Sequence, residues 1–227
     1  MNAWFEKLYA TFIESGYYSL ILEGFRNTII FTLGALVIGV AIGVFIAVVK
    51  YFGEDNALMK VLSVICDVYV TVIRGVPVVV LLLIFYFIIL KSANGITVGI
   101  LTFGINSGAY MAELIRSGIN AVDRGQMEAG RCLGLSKLQT MRVIIFPQAI
   151  RNILPAIGNE MIALLKETSV AGYVAVVDLT RAGNMVRNNT FDAVNPLMLV
   201  ALTYLVLVIG LTKLIGSIEK KMARADR

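Results

Sequence analysis

Glu160 interrupts an apolar stretch of the chain, as do Asp67, Arg74, Glu113 and Arg151. A charge at the centre of a lipid-embedded helix costs about 2.5–3.5 kcal/mol even on the lenient insertion scale, so each of these side chains needs a partner or a task. The chemistry open to them is binding, a carboxylate holding an ammonium or a guanidinium holding a carboxylate. Catalytic chemistry has no obvious agents. The chain contains no histidine, which removes imidazole catalysis, the usual triads and most transition-metal sites. No G-x-x-x-x-G-K-[ST] run is present to cradle nucleotide phosphates. Cys66 and Cys132 lie far apart without metal-ligand spacing and are expected as free thiols.

The elements that must hold these residues are membrane spans. The chain is 58% hydrophobic and 15% charged, with a mean hydropathy of +0.83, a balance suited to lipid. Its net charge of +5 is scattered between apolar runs, which fits membrane topology better than nucleic-acid binding. Thr28 to Val49 is apolar and long enough to span, with Gly39 and Gly43 spaced for close helix contact or simply common membrane glycines. Leu58 to Leu90 is too long for one straight span, and a break is expected at Arg74-Gly75-Val76-Pro77. Ile96 to Ala112, Ile145 to Leu165 and Ala193 to Thr212 complete five spans in one domain covering residues 1–227. Residues 1–18 read as an amphipathic surface segment rather than a signal peptide, since Glu6 and Glu14 stand where positive charge belongs.

Five spans place the termini on opposite sides. With the N-terminus outside and the C-terminus cytoplasmic, the inner segments carry twelve basic residues and the outer ones six, in accord with the positive-inside rule. Residues 117–142 then form a cytoplasmic loop. Helical rise puts Glu160 roughly 20 Å from Pro147, and Asn106 roughly 15 Å from Ile96, so both are expected near mid-bilayer. Asn159, Ser107 and Tyr110 are candidates to complete a polar lining there, or to bond between helices. Arg74 is expected either to meet a substrate carboxylate or to pair with Asp67. Glu113 and Arg116, three apart, are expected to pair with each other.

The loop contains Glu128-Ala129-Gly130, three residues, Gly134, nine residues, then Ile144-Ile145-Phe146-Pro147. This pattern resembles the EAA motif of ABC importer permeases, with Gly130 in place of alanine and Phe146 in place of leucine. Physically, a short helix with small residues suits a cleft on a partner, a glycine permits a tight reversal, and a proline starts the next element. Other stretches resemble polar amino-acid permeases of the histidine/glutamine/arginine type. They are Arg74-Gly75-Val76-Pro77, the run from Asn106 to Glu113, Gly125-Gln126, and Leu165 to Ser169.

That resemblance implies an all-α integral membrane protein of the type I importer permease kind, with five transmembrane helices and a cytoplasmic coupling helix. It implies a multi-pass permease of a prokaryotic plasma membrane, not an enzyme, serving ATP-driven import of polar, chiefly basic, amino acids. The implied partners are two copies of an ATPase subunit that binds ATP and Mg, a second permease chain, identical or related, and an extracytoplasmic solute-binding protein. No cofactor or metal in the chain itself is expected. Glu160, Asn159, Asn106, Ser107, Tyr110 and Arg74 are the expected substrate residues. Glu128, Ala129, Gly130, Gly134 and Pro147 are the expected coupling residues. Rival readings are an importer permease for another small solute and an ATP-independent channel or carrier.

Overall fold

The computed structural model describes residue 6, residues 9–53 and residues 57–224, and among these the ordered elements are helical. Part of the expected N-terminal surface segment, residues 1–5, 7 and 8, lies outside the described residues. We number the α-helices α1 (Tyr18–Phe52), α2 (Ala57–Gly75), α3 (Val78–Ile84), α4 (Gly95–Asn120), α5 (Gly125–Cys132), α6 (Lys137–Thr140), α7 (Phe146–Glu167), α8 (Leu179–Thr190) and α9 (Asn195–Arg224). Three segments are long and apolar enough to cross a bilayer: Tyr18–Tyr51, Gly95–Asn120 and Asn195–Met222. The bent pair α2 and α3 with its π-turn makes a fourth if it counts as one span. The helix carrying Arg151 and Glu160, α7, has the length but falls below that apolar standard, because Gln148, Arg151, Asn152, Asn159 and Glu160 lower its mean hydropathy.

The break between α2 and α3 falls where the sequence places it. Pro77 has φ −57° and ψ 134° and caps α3 from an extended conformation. A proline has no N–H to donate and disfavours helix at the residue before it. One difference concerns the segment 117–142, expected as a loop: helix α4 continues to Asn120. The short helix expected on the motif is α5, and a second, α6, follows the reversal.

The chain divides into two compact units. The first comprises Met1–Leu36, Pro77–Phe103 and Ala163–Gly210. Its core gathers Phe31, Leu82, Val98, Phe103, Leu164 and Val174, with Phe31 and Phe103 edge-to-face at 6.3 Å. One face of α1 grips the entry to α8. Gly24 lies so close that a Cβ there would meet the Asp178 carbonyl at 2.7 Å. One turn on, the Asn27 amide donates to the Val177 carbonyl (2.8 Å), and the Leu179 N–H donates to Thr28 Oγ1 (3.1 Å). Asp178 then caps α8, its carboxylate accepting from the N–H groups of Thr180 and Arg181.

The second unit comprises Val37–Val76, Gly104–Ile162 and Leu211–Arg227. Its centre is a reciprocal glycine contact. A Cβ on Gly39 would sit 2.8 Å from Ser107 Oγ, and one on Gly43 2.5 Å from Met111 Cβ. From the other side, Gly104 faces Ile38 and Gly108 faces Ile42, each at 2.7 Å. Of the two readings of Gly39 and Gly43, the structure supports close helix contact, since absent side chains let the backbones approach. Helix α2 joins through Tyr69, whose hydroxyl donates to the Ile105 carbonyl at 2.5 Å, and through Cys66, buried with Ile46, Val49 and Ala112. Cys66 and the exposed Cys132 are both free thiols.

Candidate functional site

All six expected substrate residues fall in the second unit. Ser107 and Tyr110 are three apart on α4 and therefore share a face. Ser107 is fully buried and its hydroxyl donates to Glu160 Oε1 at 3.0 Å. Glu160 itself is partly buried. Lys50 pairs with Asp67 and Arg116 with Glu113, and Glu160 belongs to neither pair. Its neighbour Asn159 is exposed, whereas Asn106 is buried.

Arg74 differs from expectation. Asp67 is taken by Lys50 from α1, so the proposed Arg74–Asp67 pair does not form. Arg74 instead lies over the Tyr110 ring, 5.2 Å from its centroid, a cation–π contact. A periodicity argument sees only pairs within one helix and has no access to Lys50 on a neighbouring one. Where the pair is local the argument holds: Arg116 Nε donates to Glu113 Oε2 at 3.1 Å, and its Nη2 bonds the other oxygen. The Tyr69 hydroxyl, which reaches the α4 backbone one turn from Tyr110, was not singled out from sequence.

The motif segment builds a helix, a reversal and a second helix. In α5, Glu128 and Ala129 are exposed while Gly130 is buried. A Cβ on Gly130 would collide with the Thr140 side chain and lie 3.2 Å from Ile144. The small residue at 130 therefore serves an internal contact, while Glu128 and Ala129 stay on the surface. Gly134 has φ +85°, the left-handed conformation that glycine reaches without a Cβ penalty. Arg131 donates to the Leu135 carbonyl across this turn. Ser136 then opens α6 with a capping box, its oxygen accepting from the Gln139 N–H while Gln139 accepts from the Ser136 N–H.

Pro147 does not begin the next element, contrary to expectation. The helical path is already running through α6 and the π-turn Met141–Ile145, and Pro147 is the second residue of α7. Phe146 N–H reaches back five residues to the Met141 carbonyl. A proline ring clashes with the carbonyl four residues earlier, and the widened turn just before it accommodates that ring. Met127 of α5 packs with Ile115, Val122, Ile145, Ala149 and Ile153, so α5 is seated on the body of its unit.

Comparison with known proteins places this arrangement in context. Residues 39–224 match the family described as binding-protein-dependent transport system inner membrane component. The putative glutamine transport system permease protein GlnP of Rickettsia typhi is 36% identical over 89% of this chain and 92% of its own length. Glutamine transport system permease protein GlnP of Escherichia coli K12 is 33% identical, over 89% and 93% respectively. A crystal structure of an amino acid ABC transporter with histidines superposes with a TM-score of 0.84 at 37% identity, covering 92% of this chain and 96% of that one. An inward-facing structure of the MetNI methionine ABC transporter shares the fold, with a TM-score of 0.74 at 21% identity.

Proposed function

Since this chain belongs to the family of binding-protein-dependent transport system inner membrane components, we propose that it imports a polar, chiefly basic, amino acid and that Glu160 contacts the cargo. The chain is an ABC importer permease subunit and not an enzyme, and ATP hydrolysis belongs to a separate subunit. The observation that carries the cargo reading is the partly buried Glu160 carboxylate. It has a hydroxyl beside it and lies in neither ion pair among the described residues. A carboxylate withdrawn from water is stabilised by a cation. An amino acid brings an α-ammonium group, and arginine, lysine or histidine can bring a second positive charge. Tyr110, Asn106, Asn159 and Arg74 line the path beside Glu160 and Ser107 in this reading, Arg74 being able to leave its ring contact for a substrate carboxylate.

In the cycle we propose, two ATPase subunits bind ATP and Mg and close. They move residues 117–142 through the exposed Glu128 and Ala129. The turn at Gly134 and the packed Gly130–Thr140 contact pass that motion to α7, which carries Glu160. A second permease chain completes the path, and a solute-binding protein delivers cargo from outside. The chain forms a single five-span domain of a prokaryotic plasma membrane, N-terminus out and C-terminus in.

A neutral cargo is the alternative, favoured by the relatives named for glutamine. Substrate-stimulated ATPase activity of the reconstituted complex, measured across the amino acids for wild type and Glu160→Gln, separates the two. Selective loss of response to arginine, lysine and histidine is expected if the side chain is read. A uniform fall for all amino acids means that the α-ammonium is read. An unchanged profile removes Glu160 from the site.

A further inference from the structure

We propose that the second unit carries a binding groove for an anionic phospholipid, with an acyl chain seated against α1 and α4 and the phosphate on Arg142. A groove of about 300 Å³ lies where the last turns of α1 and α4 meet the segment that leads into α7. Its walls are apolar, with Val44 and Val48 from α1, Ile115 from α4 and Phe146 from α7. Val44, Val48 and Phe146 are each about half exposed, at 48%, 49% and 48%, so the described residues leave them partly uncovered. Arg142 is the charged residue of the lining, is exposed, and lies in neither ion pair among the described residues.

Position identifies the occupant. Tyr51, another lining residue, ends the first candidate span, and Ile115 lies within two turns of the end of α4. The groove therefore opens beside the ends of two spans, where acyl chains give way to headgroups. A tyrosine there matches the interfacial preference of amphipathic aromatics, and Lys137 Nζ lies 5.5 Å from its ring centroid. An apolar trough with a guanidinium in its lining, and an ammonium over the ring of a lining tyrosine, complements a lipid that has an acyl chain and a negative headgroup. A guanidinium also matches phosphate with a planar pair of donors. Basic sites beside transmembrane helices recruit anionic headgroups by this charge match. The proposed cytoplasmic side of α5 would assign the groove to the inner leaflet, but the binding chemistry does not depend on that assignment.

The test is native mass spectrometry of the purified permease–ATPase complex, titrated with dioleoylphosphatidylglycerol or dioleoylphosphatidylcholine. Wild type is expected to retain about one phosphatidylglycerol per permease chain, and to prefer it to phosphatidylcholine. Arg142→Gln, at an exposed position, should weaken phosphatidylglycerol about fivefold and leave phosphatidylcholine unchanged. Val48→Trp, which fills the trough, should expel both lipids. No preference in wild type, or equal retention by Arg142→Gln, overturns the proposal. Loss of a permease or ATPase chain from the Val48→Trp assembly, with lipid retention unchanged, shows that a protein partner occupies the groove. Lipid retention is read without transport, so the result is independent of the cargo assignment.

Discussion

Glu160 accepts its hydrogen bond from a serine whose position is set by the neighbouring helix. A Cβ on Gly39 would come within 2.8 Å of Ser107 Oγ, so the glycine leaves the room that the donor occupies. We predict that Ser107→Ala raises the half-saturating concentration of every transported amino acid about fivefold, as loss of one hydrogen bond of about 1 kcal/mol implies. Substrate titrations of ATPase stimulation would check this, and an unchanged midpoint would remove Ser107 from the cargo site. Gly39→Val should act in the same direction and more strongly, because it also forces α1 from α4. At this scale one pairing that the sequence allowed does not form. Arg74 and Asp67 share a helix, but each found its partner elsewhere, on Tyr110 and Lys50. Which side chain meets which across helices depends on their relative rotation, and no spacing within one helix reports it.

Among the elements, the reversal at Gly134 is the most exacting piece of backbone in the proposed coupling segment. A β-branched residue at φ +85° is strained, with a left-handed penalty of about 1–2 kcal/mol. Gly134→Val is therefore predicted to insert in the membrane but to lose transport, through weaker ATPase assembly or coupling. Co-purification of the ATPase alongside a transport assay would separate these causes, and normal transport would sink the coupling assignment. A second element-scale prediction concerns the cap of α8, which lies outside the spans. Burial pushes the Asp178 carboxyl from its usual value near 3.8 up to about 6, although backbone N–H bonds pull the other way. The folded state thus binds a proton more readily than the unfolded chain between those values. By linkage, this residue's contribution to stability is greatest below about 3.8 and declines as pH rises through about 6. Asp178→Asn keeps an oxygen for capping. It should raise the thermal midpoint of the complex at pH 7.5 relative to wild type, with the gain shrinking towards pH 4.5. A constant difference across that range would remove the titration from Asp178.

For the whole molecule, the path of the chain through the bilayer follows from which helices span it. The candidate span in α9 has only 6% of its most apolar window buried inside this chain, against 67% for α4. Its apolar surface is therefore available to lipid or to the second permease chain. Helix α7 separates the four-span count from the proposed five. In a background with Cys66 and Cys132 replaced, single cysteines at Lys137 and Asn189 should label from opposite sides, position 137 from the cytoplasm. Labelling of both from one side would overturn the five-span reading.

The class of the protein, the break at Pro77, the glycine reversal and the local Glu113–Arg116 pair are all legible in the residues alone. Each rests on composition or on residues close together along the chain, where hydropathy, missing N–H donors and helical spacing act locally. The sequence also brought forward Glu160 and Ser107, because charged and polar groups in apolar helices are few. That these two meet, that Lys50 takes Asp67, that Gly130 faces inward on Thr140, and that Pro147 falls inside a helix already begun emerge from the folded chain. Those outcomes depend on how far one helix turns and slides against another. Between α1 and α4 the close approach is permitted by four glycines, 39, 43, 104 and 108, where a Cβ would collide with the facing helix.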